Sequence, residues 1–385
     1  MFRLLSIIGA TLFAFQVQAT TFTLPSPETR IIGHNMILVS RHEDTLLDIA
    51  RTFDLGYHDI VSANPDVDPW LPGEGQRIVI PKRYILPDAP RQGIVVNLAE
   101  LRLYYYPKPA SGEAQRVVTF PIGIGREGWR TPLGRMSIIQ KRENPTWTPP
   151  ASIRAAYLEE GKVLPDVVPP GPDNPLGAHA IRLSNPSYLI HGTHRPYGVG
   201  MRVSSGCIRL FPEDIEQLYH KVSLGTQVEI IYQPHKAAIH NGQLYLEAHK
   251  PLDDIDDRHT NNLTPMVQSI IKVQDDSLRD EDWPFVEQVV REHRGLVKGL
   301  HQDALPIVED IWFLHAGMKK GSTAKFRAVL DKLDLGYMFW PINNRAHEEM
   351  VLGPFESEAE AIQAAEKITA AGVRVWPVML SEDAL

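Results

Sequence analysis

The chain has 385 residues, 43% of them apolar and 22% charged, a balance that can bury real cores and excludes wholesale disorder, collagen-like repeats and a multi-span membrane protein. At roughly 150 residues per domain, this length holds two or three folding units rather than one. The 39 Lys and Arg against 47 Asp and Glu leave a net charge of −8, which excludes whole-molecule attraction to nucleic acid phosphates.

Residues 1–19 read as an export leader: Arg3 supplies the positive start, Leu4 to Phe15 the apolar run, and Val17-Gln18-Ala19 a cleavage site. Gln16 and Gln18 break the run short of the roughly 20 apolar residues a span needs, so no integral membrane association is expected and the compartment is the periplasm. Exported chains usually spend cysteines in pairs, yet this one has only Cys207, which cannot form an internal disulfide.

Residues 36–82 follow a βααβ pattern. Met36 to Ser40 is a short strand, Asp44 or Thr45 can cap a helix, and Leu46, Ile49, Ala50 and Phe53 mark its apolar face. A second helix is expected over Asp59 to Ala63, ended by Asn64-Pro65, and Pro72-Gly73 turns the chain into the strand Arg77 to Ile80. The wording L-V-x-x-x-E-D-T-L-x-x-I-A-x-x-F, A-N-P and I-V-I-P resembles the LysM module, although Glu43 stands where that family usually has Gly. The resemblance implies binding to glycan strands that contain N-acetylglucosamine.

Residues 93–233 read as a mostly β domain, with strands at Ile94 to Val96, Leu101 to Tyr106 and Val117 to Ile122 and one strong helix signal after Leu210, opened by Pro212 and carried by Ile215, Leu218, Tyr219 and Val222. Alternating strand faces explain Tyr104-Tyr105-Tyr106 more simply than a sugar platform does. Residues 234–250 read as an appended hairpin around Asn241-Gly242. Residues 251–306 read as an acidic helical linker whose Asp253 to Asp257 run lacks the Gly and closing Glu of a calcium loop. Within it Met266, Val267, Ile270 and Ile271 should face one way on a helix opened by Thr264-Pro265, and Phe285, Val286, Val289 and Val290 on one opened by Pro284.

Residues 309–381 alternate as β-α-β-β-α-β, a ferredoxin-like order, with strands at Ile311 to Leu314, Tyr337 to Trp340, Met350 to Leu352 and Val373 to Trp376. Ser357 and Glu360 form a capping-box pattern before Ala361, Ala364, Ala365 and Ile368. V-L-G-P-F-E-S-E-A-E-A-x-x-A resembles the sporulation-related repeat, which implies binding to denuded glycan strands of peptidoglycan.

Chemistry concentrates in Y-L-I-H-G-T-H-R-P-Y-G-V-G-M-R-V-S-S-G-C-I-R-L, where His191 lies sixteen residues before the thiol of Cys207. A free thiol is only a few per cent ionised near neutrality, so a nucleophilic Cys needs a base or a cationic neighbour, and His191 can serve as either, taking the proton or standing beside the thiol as imidazolium. His191 ends an apolar strand, and the Gly192 carbonyl can hold its tautomer. The amides of Gly206 and Cys207 can donate to an oxyanion. A histidine base of ordinary pKa predicts a rate limb near 6.5. No H-E-x-x-H motif or Cys/His cluster surrounds His293 or His301, so no metal or organic cofactor is expected.

H-G-T and S-x-G-C-I-R-L, together with G-I-G-R-x-G-W-x-T-P-x-G at Gly123 to Gly134 and N-P-T-W-T-P-P at Asn144 to Pro150, resemble the L,D-transpeptidase catalytic domain. The resemblance implies a β-sandwich with a lidded cleft and attack by Cys207 on the tetrapeptide stem of peptidoglycan. D-Ala is released and the acyl group passes to an amine, on a second stem or on a lipoprotein. It makes Cys207 the nucleophile, His191 the base and Gly192 the orienting carbonyl. Gly206, Ser205, Thr193 and Arg209 are expected around the oxyanion and substrate. Ser205 replaces the His many members carry, and Arg209 can meet a stem carboxylate or pair internally to hold the loop. Ser204 and Thr193 are expected to fix the loop, His194 to face solvent, and Trp129 and Trp147 to line the cleft or pin loops. The whole is a multidomain α+β enzyme, with hydrolysis of wall peptides, or a non-catalytic wall-binding scaffold, as the rival readings.

Overall fold

The computed structural model describes residues 21–252, 262–274, 278–300, 311–317, 322–333, 339–342 and 349–380. The leader and the Asp253 to Asp257 run lie outside them. Strands β1 (Thr21–Leu24) and β2 (Ile31–Ile32) come first. Then β3 (Met36–Val39), α1 (Leu46–Thr52), α2 (Tyr57–Ala63) and β4 (Arg77–Ile80) follow in the anticipated order. Thr45 caps α1 by accepting from the Asp48 amide at 3.1 Å. Helix α2 begins two residues earlier than its apolar pattern suggests, because Asp59 accepts from the Gly56 amide at 2.9 Å and closes the first turn.

Strand β5 (Tyr84–Ile85) pairs with β2. Next come β6 (Gly93–Asn97), β7 (Arg102–Tyr106), β8 (Gln115–Pro121), β9 (Ile124–Gly125), β10 (Gly134–Glu143), α3 (Ala151–Glu159), β11 (His179–Leu183), β12 (Leu189–His191), β13 (Arg202–Ser204), β14 (Ile208–Arg209), α4 (Pro212–Lys221) and β15 (Gln227–Ile231). Nine strands make one sheet in the order β1-β8-β7-β6-β15-β10-β11-β12-β14. It folds over at β10, where Gly134 to Ser137 pair with β15 and Ile138 to Glu143 with β11, across a register shift at Ile138 and Gln140. The two halves enclose one apolar core that includes Ile94, Leu103, Phe120, Ile181, Ile190 and Ile208. Tyr105 belongs to that core, while Tyr104 and Tyr106 belong to a second one behind the sheet. Helix α3 has no counterpart in the sequence reading because it buries none of its residues and so shows no apolar stripe.

Strands β16 (His235–His240) and β17 (Gln243–Ala248) turn through Asn241 and Gly242, both at positive φ. Helices α5 (Thr264–Ile271) and α6 (Trp283–Glu292) and strand β18 (Lys298–Gly299) follow. The separation into a hairpin at 234–250 and a solvated linker at 251–306 is corrected here. Met266 and Ile270 of α5 and Val286, Val289 and Val290 of α6 pack on Ala237, Leu244 and Leu246, and β18 pairs with β17. The acidic composition hid this core because the apolar residues that form it are spread over two helices and a hairpin that precedes them. The buried stripe of α5 is also narrower than expected, since Ile271 is 66% exposed.

Finally β19 (Trp312–His315), α7 (Ser322–Leu333), β20 (Phe339–Ile342), β21 (Glu349–Phe355), α8 (Glu358–Ala370) and β22 (Trp376–Leu380) give the sheet order β20-β21-β19-β22. The last strand starts at Trp376 rather than Val373. Ser357 caps α8 by accepting from the Glu360 amide at 3.2 Å, while the Glu360 carboxylate accepts from Glu356 instead of completing the box. The sheet does not end at β22: Val378 pairs with Leu38 and Leu380 with Met36, so β3 and β4 extend it to six strands. The units at 36–82 and 309–381 are therefore not separate in space.

A buried charge cluster ties β16 and β17 to the nine-stranded sheet. Lys236 Nζ stands 2.5 Å from Glu100 and 2.8 Å from Glu247, with all three side chains at most 1% exposed. Tyr104 also donates to Glu100 at 3.0 Å, and the Ile85 amide to Glu247 at 2.7 Å. Replacing Lys236 by Met should cost about 3–5 kcal/mol, the scale of an uncompensated buried charge. Urea unfolding of the variant measures this, and adding Glu100→Gln and Glu247→Gln should restore part of the loss.

Candidate active site

Strands β12 and β14 lie parallel, with Ile190 opposite Ile208 and His191 opposite Arg209. Paired residues face the same way and neighbours along a strand face opposite ways. Ile190 and Ile208 enter the core, so His191, Arg209 and Cys207, one alternation before Arg209, share the other face. The sixteen-residue gap in sequence is closed by this pairing and by the Leu210 amide donating to the His191 carbonyl at 2.9 Å.

His191 is buried, and its Nδ1 lies 2.6 Å from the Gly192 carbonyl. A carbonyl only accepts, so Nδ1 carries the proton and Nε2 keeps its lone pair. Burial, and then the Arg209 cation, push the imidazole down to about 3 against the opposing pull of the Gly192 and Leu176 carbonyls. Burial pushes the Cys207 thiol up, against the Leu189 amide and the cations of Arg209 and Arg182. At neutral pH the pair is thiol and neutral imidazole. The limb expected near 6.5 therefore has no group of ordinary pKa behind it.

The turn carrying the thiol is tightly specified. Gly206 has φ 102°, and a Cβ there would stand 2.9 Å from the Tyr188 ring. Thr131 donates to the Gly206 carbonyl at 2.9 Å and accepts from the Gly125 amide at 3.1 Å, joining T-P-x-G to the thiol turn. Ser204 donates to the Cys207 carbonyl at 2.6 Å and accepts from the Gly206 amide at 3.2 Å. The expectation that the Gly206 amide serves an oxyanion is therefore corrected, since the turn itself takes that donor. Ser205 is half-buried beside it. Thr193 is buried and accepts from the Arg195 amide at 2.9 Å, which fixes the loop rather than presenting a hydroxyl to substrate. His194 is exposed, as expected.

Among the described residues, no carboxylate lies within ion-pair distance of Arg209, and its buried Nε has no hydrogen-bond partner. The internal ion pair considered for it is thus not formed. Burial lowers the Arg209 pKa, against the pull of Cys207 and of Tyr157 on α3. The segment that carries α3 is pinned at its base: Trp147 and Val168 exchange backbone hydrogen bonds, and Asn174 donates to the Pro145 carbonyl at 2.8 Å. Trp129 carries the Arg126 guanidinium 5.5 Å above its ring and packs its carbonyl against Gly125. Sequence reasoning assigned no role to Thr131 or Leu176. Thr131 stood inside a quoted motif, whereas nothing local marks Leu176.

Residues 91–230 match the YkuD family model, the L,D-transpeptidase catalytic domain. Probable L,D-transpeptidase YcfS of Escherichia coli K12 is 46% identical over 256 residues, which cover 65% of this chain and 79% of that protein. The chain belongs to the L,D-transpeptidase family. Probable L,D-transpeptidase ErfK/SrfK of Salmonella typhimurium LT2 is 40% identical over 288 residues, 72% of this chain and 90% of that one. A solved L,D-transpeptidase from Mycobacterium smegmatis is 21% identical, covering 37% of this chain and 58% of that one at a TM-score of 0.28.

In this L,D-transpeptidase, the Cys207 environment predicts slow alkylation at pH 7. Iodoacetamide labelling should rise with a midpoint above the free thiol's roughly 8.5. Arg209→Gln removes a cation that favours the thiolate, so its midpoint should move higher still. A midpoint below that of a free thiol would contradict the electrostatics described here.

Proposed function

We propose that this enzyme acts on the tetrapeptide stems of peptidoglycan through a Cys207 thioester. The observation that carries the proposal is the pairing of His191 on β12 with Arg209 on β14, with Cys207 directly before β14 and one alternation from Arg209. His191 Nε2 takes the thiol proton as Sγ attacks the carbonyl of the diamino acid at stem position three. The tetrahedral intermediate collapses, the bond to D-Ala breaks, and the leaving amine takes the proton back from His191. An acceptor amine, on a second stem or a lipoprotein lysine, then attacks the thioester while His191 removes its proton, and the thiol is released. Arg209, a half-buried cation whose buried Nε has no hydrogen-bond partner among the described residues, fits a carboxylate of the stem.

The flanking units extend this reading. The βααβ order and caps at residues 36–82 support a LysM-like glycan-binding module, and the β-α-β-β-α-β unit at 309–381 a second wall-binding surface. Substrate held on a polymer by such modules meets the thiol at a raised effective concentration. Residues 1–19 fit a leader to the periplasm, and no helix among the described residues is long and apolar enough to cross a membrane.

Mass spectrometry of defined tetrapeptide stems incubated with the purified protein tests the reaction. A thioester adduct with loss of D-Ala should form on the wild type, and Cys207→Ala should retain less than roughly a thousandth of the turnover. Between pH 7 and pH 5 the wild-type acylation rate should stay flat, because His191 is neutral down to about 3. A base titrating at its ordinary 6.5 would instead lose activity by about twentyfold or more over that span. His191→Gln should slow acylation by roughly two orders of magnitude, the scale of general-base catalysis. A His191→Gln protein that melts earlier but reacts normally would refute the base assignment.

A further inference from the structure

Two clusters of potential metal ligands occur among the described residues: Glu100 with Glu247 and His249, and Glu143 with His179 and His220, the donor atoms within each lying within 4.8 Å of one another. The first already holds a cation of its own, since Lys236 Nζ stands between Glu100 and Glu247. A metal there would have to displace a buried ammonium. Among the described residues, no Lys or Arg makes an ion pair with the second. We propose that Glu143, His179 and His220 form a site for a borderline divalent transition metal, zinc foremost, with the remaining position open to solvent.

Three elements converge on it. Glu143 and His179 sit directly opposite each other at the end of the β10–β11 ladder. His220 comes from the last turn of α4, its ring 5.8 Å from that of His179. His179 is 8% exposed, yet neither ring nitrogen makes a good hydrogen bond: Nδ1 has no partner, and Nε2 is 3.5 Å from Glu143 Oε1. Nε2 is the nitrogen that faces Glu143, and a Lewis acid between them would take the lone pair that 3.5 Å leaves without a good hydrogen bond. Two imidazoles and one carboxylate are a zinc ligand set with room for a water, whereas magnesium and calcium prefer oxygen throughout. Bonds of about 2.0–2.1 Å require the donor atoms to draw together by about an ångström. Glu143 and His220 are exposed and can make that movement.

The site lies behind the thiol face rather than on it. Ala180 pairs with His191, so His179 points the other way, toward Tyr219 and His220 of α4. The His179 carbonyl accepts from the Gly192 amide at 3.1 Å. A bound metal would therefore brace α4 and the β10–β11 ladder against the strand that presents His191, without touching the reacting atoms.

The test is calorimetric titration of zinc chloride into the full chain, free of any affinity tag and stripped with chelator. The chain carries Cys207→Ala so that the catalytic thiol does not compete. One zinc per chain should bind, and the melting temperature should rise; magnesium chloride at the same concentration should do neither. Adding His220→Ala should weaken zinc binding by roughly tenfold or more, the scale on which even outer partners of metal sites act, and should leave the metal-free melting temperature unchanged. Glu143→Gln, on an exposed side chain, should weaken binding likewise and serves if the His220 variant folds poorly. Failure of the parent to bind zinc, or binding unchanged in both variants, overturns the proposal.

Discussion

Two rungs of parallel pairing decide where the reactive groups stand, and so short a ladder cannot hold itself. It is clamped from both sides. Gly123 and Arg209 exchange both backbone hydrogen bonds at 2.8 Å along the free edge of β14, and Leu210 binds the His191 carbonyl at the end of the β12 pairing. Gly123 must lack a side chain to do this, because a Cβ there would lie 2.8 Å from the Gly198 carbonyl. The register is enforced by burial as well. A slip of one residue would drive Cys207 into the core and bring Ile208 to the thiol face.

The same clamp fixes the electrostatics. Arg209 disfavours a charged His191 and favours a charged Cys207, while burial disfavours charge on either. The resting state that satisfies all of these is the neutral pair. Nδ1 is locked on the Gly192 carbonyl, so the ring can exchange a proton only through Nε2. A thiol held protonated and half-buried is also the form least prone to oxidation, which suits a chain whose single cysteine has no disulfide partner.

What the sequence made legible was local. The Thr45 cap, the Asn241-Gly242 turn, the glycine before Cys207 and the His191–Gly192 carbonyl contact each depend on residues within a few positions of one another, and each was named from the chain alone. What it hid was long-range. Helix α3 has no buried stripe to announce it. The core beneath the acidic stretch joins α5 and α6 to a hairpin preceding them, so composition alone read it as linker. The Gly206 amide was counted as free because the hydroxyl that takes it is visible only once the turn is folded. Glu143, His179 and His220 meet through a strand corner and a helix end, which no spacing rule connects.

The long-range contacts also determine how the parts of the molecule relate. The N-terminal βααβ module is fastened on two fronts. Toward the catalytic sandwich, Arg51 makes a bidentate pair with Glu213 at 3.1 and 3.2 Å, and the Tyr57 and His58 amides donate to the Val199 and Gly200 carbonyls. Asp59 serves twice there, closing α2 through Gly56 and pairing with the buried Arg102 at 2.7 Å. Toward the C-terminal unit, β3 continues the sheet through β22, Trp376 donates to Asp44 at 2.9 Å, and Arg41 reaches Thr369 at 2.7 Å. The strand edge that an isolated βααβ module would leave open is thereby covered. A module on a flexible tether samples many distances from the site it serves, and its effective concentration falls with tether length. Here the N-terminal module stands in fixed register to the loop that leads into β13 and on to Cys207, so geometry rather than tether length sets where anything bound to it meets the thiol.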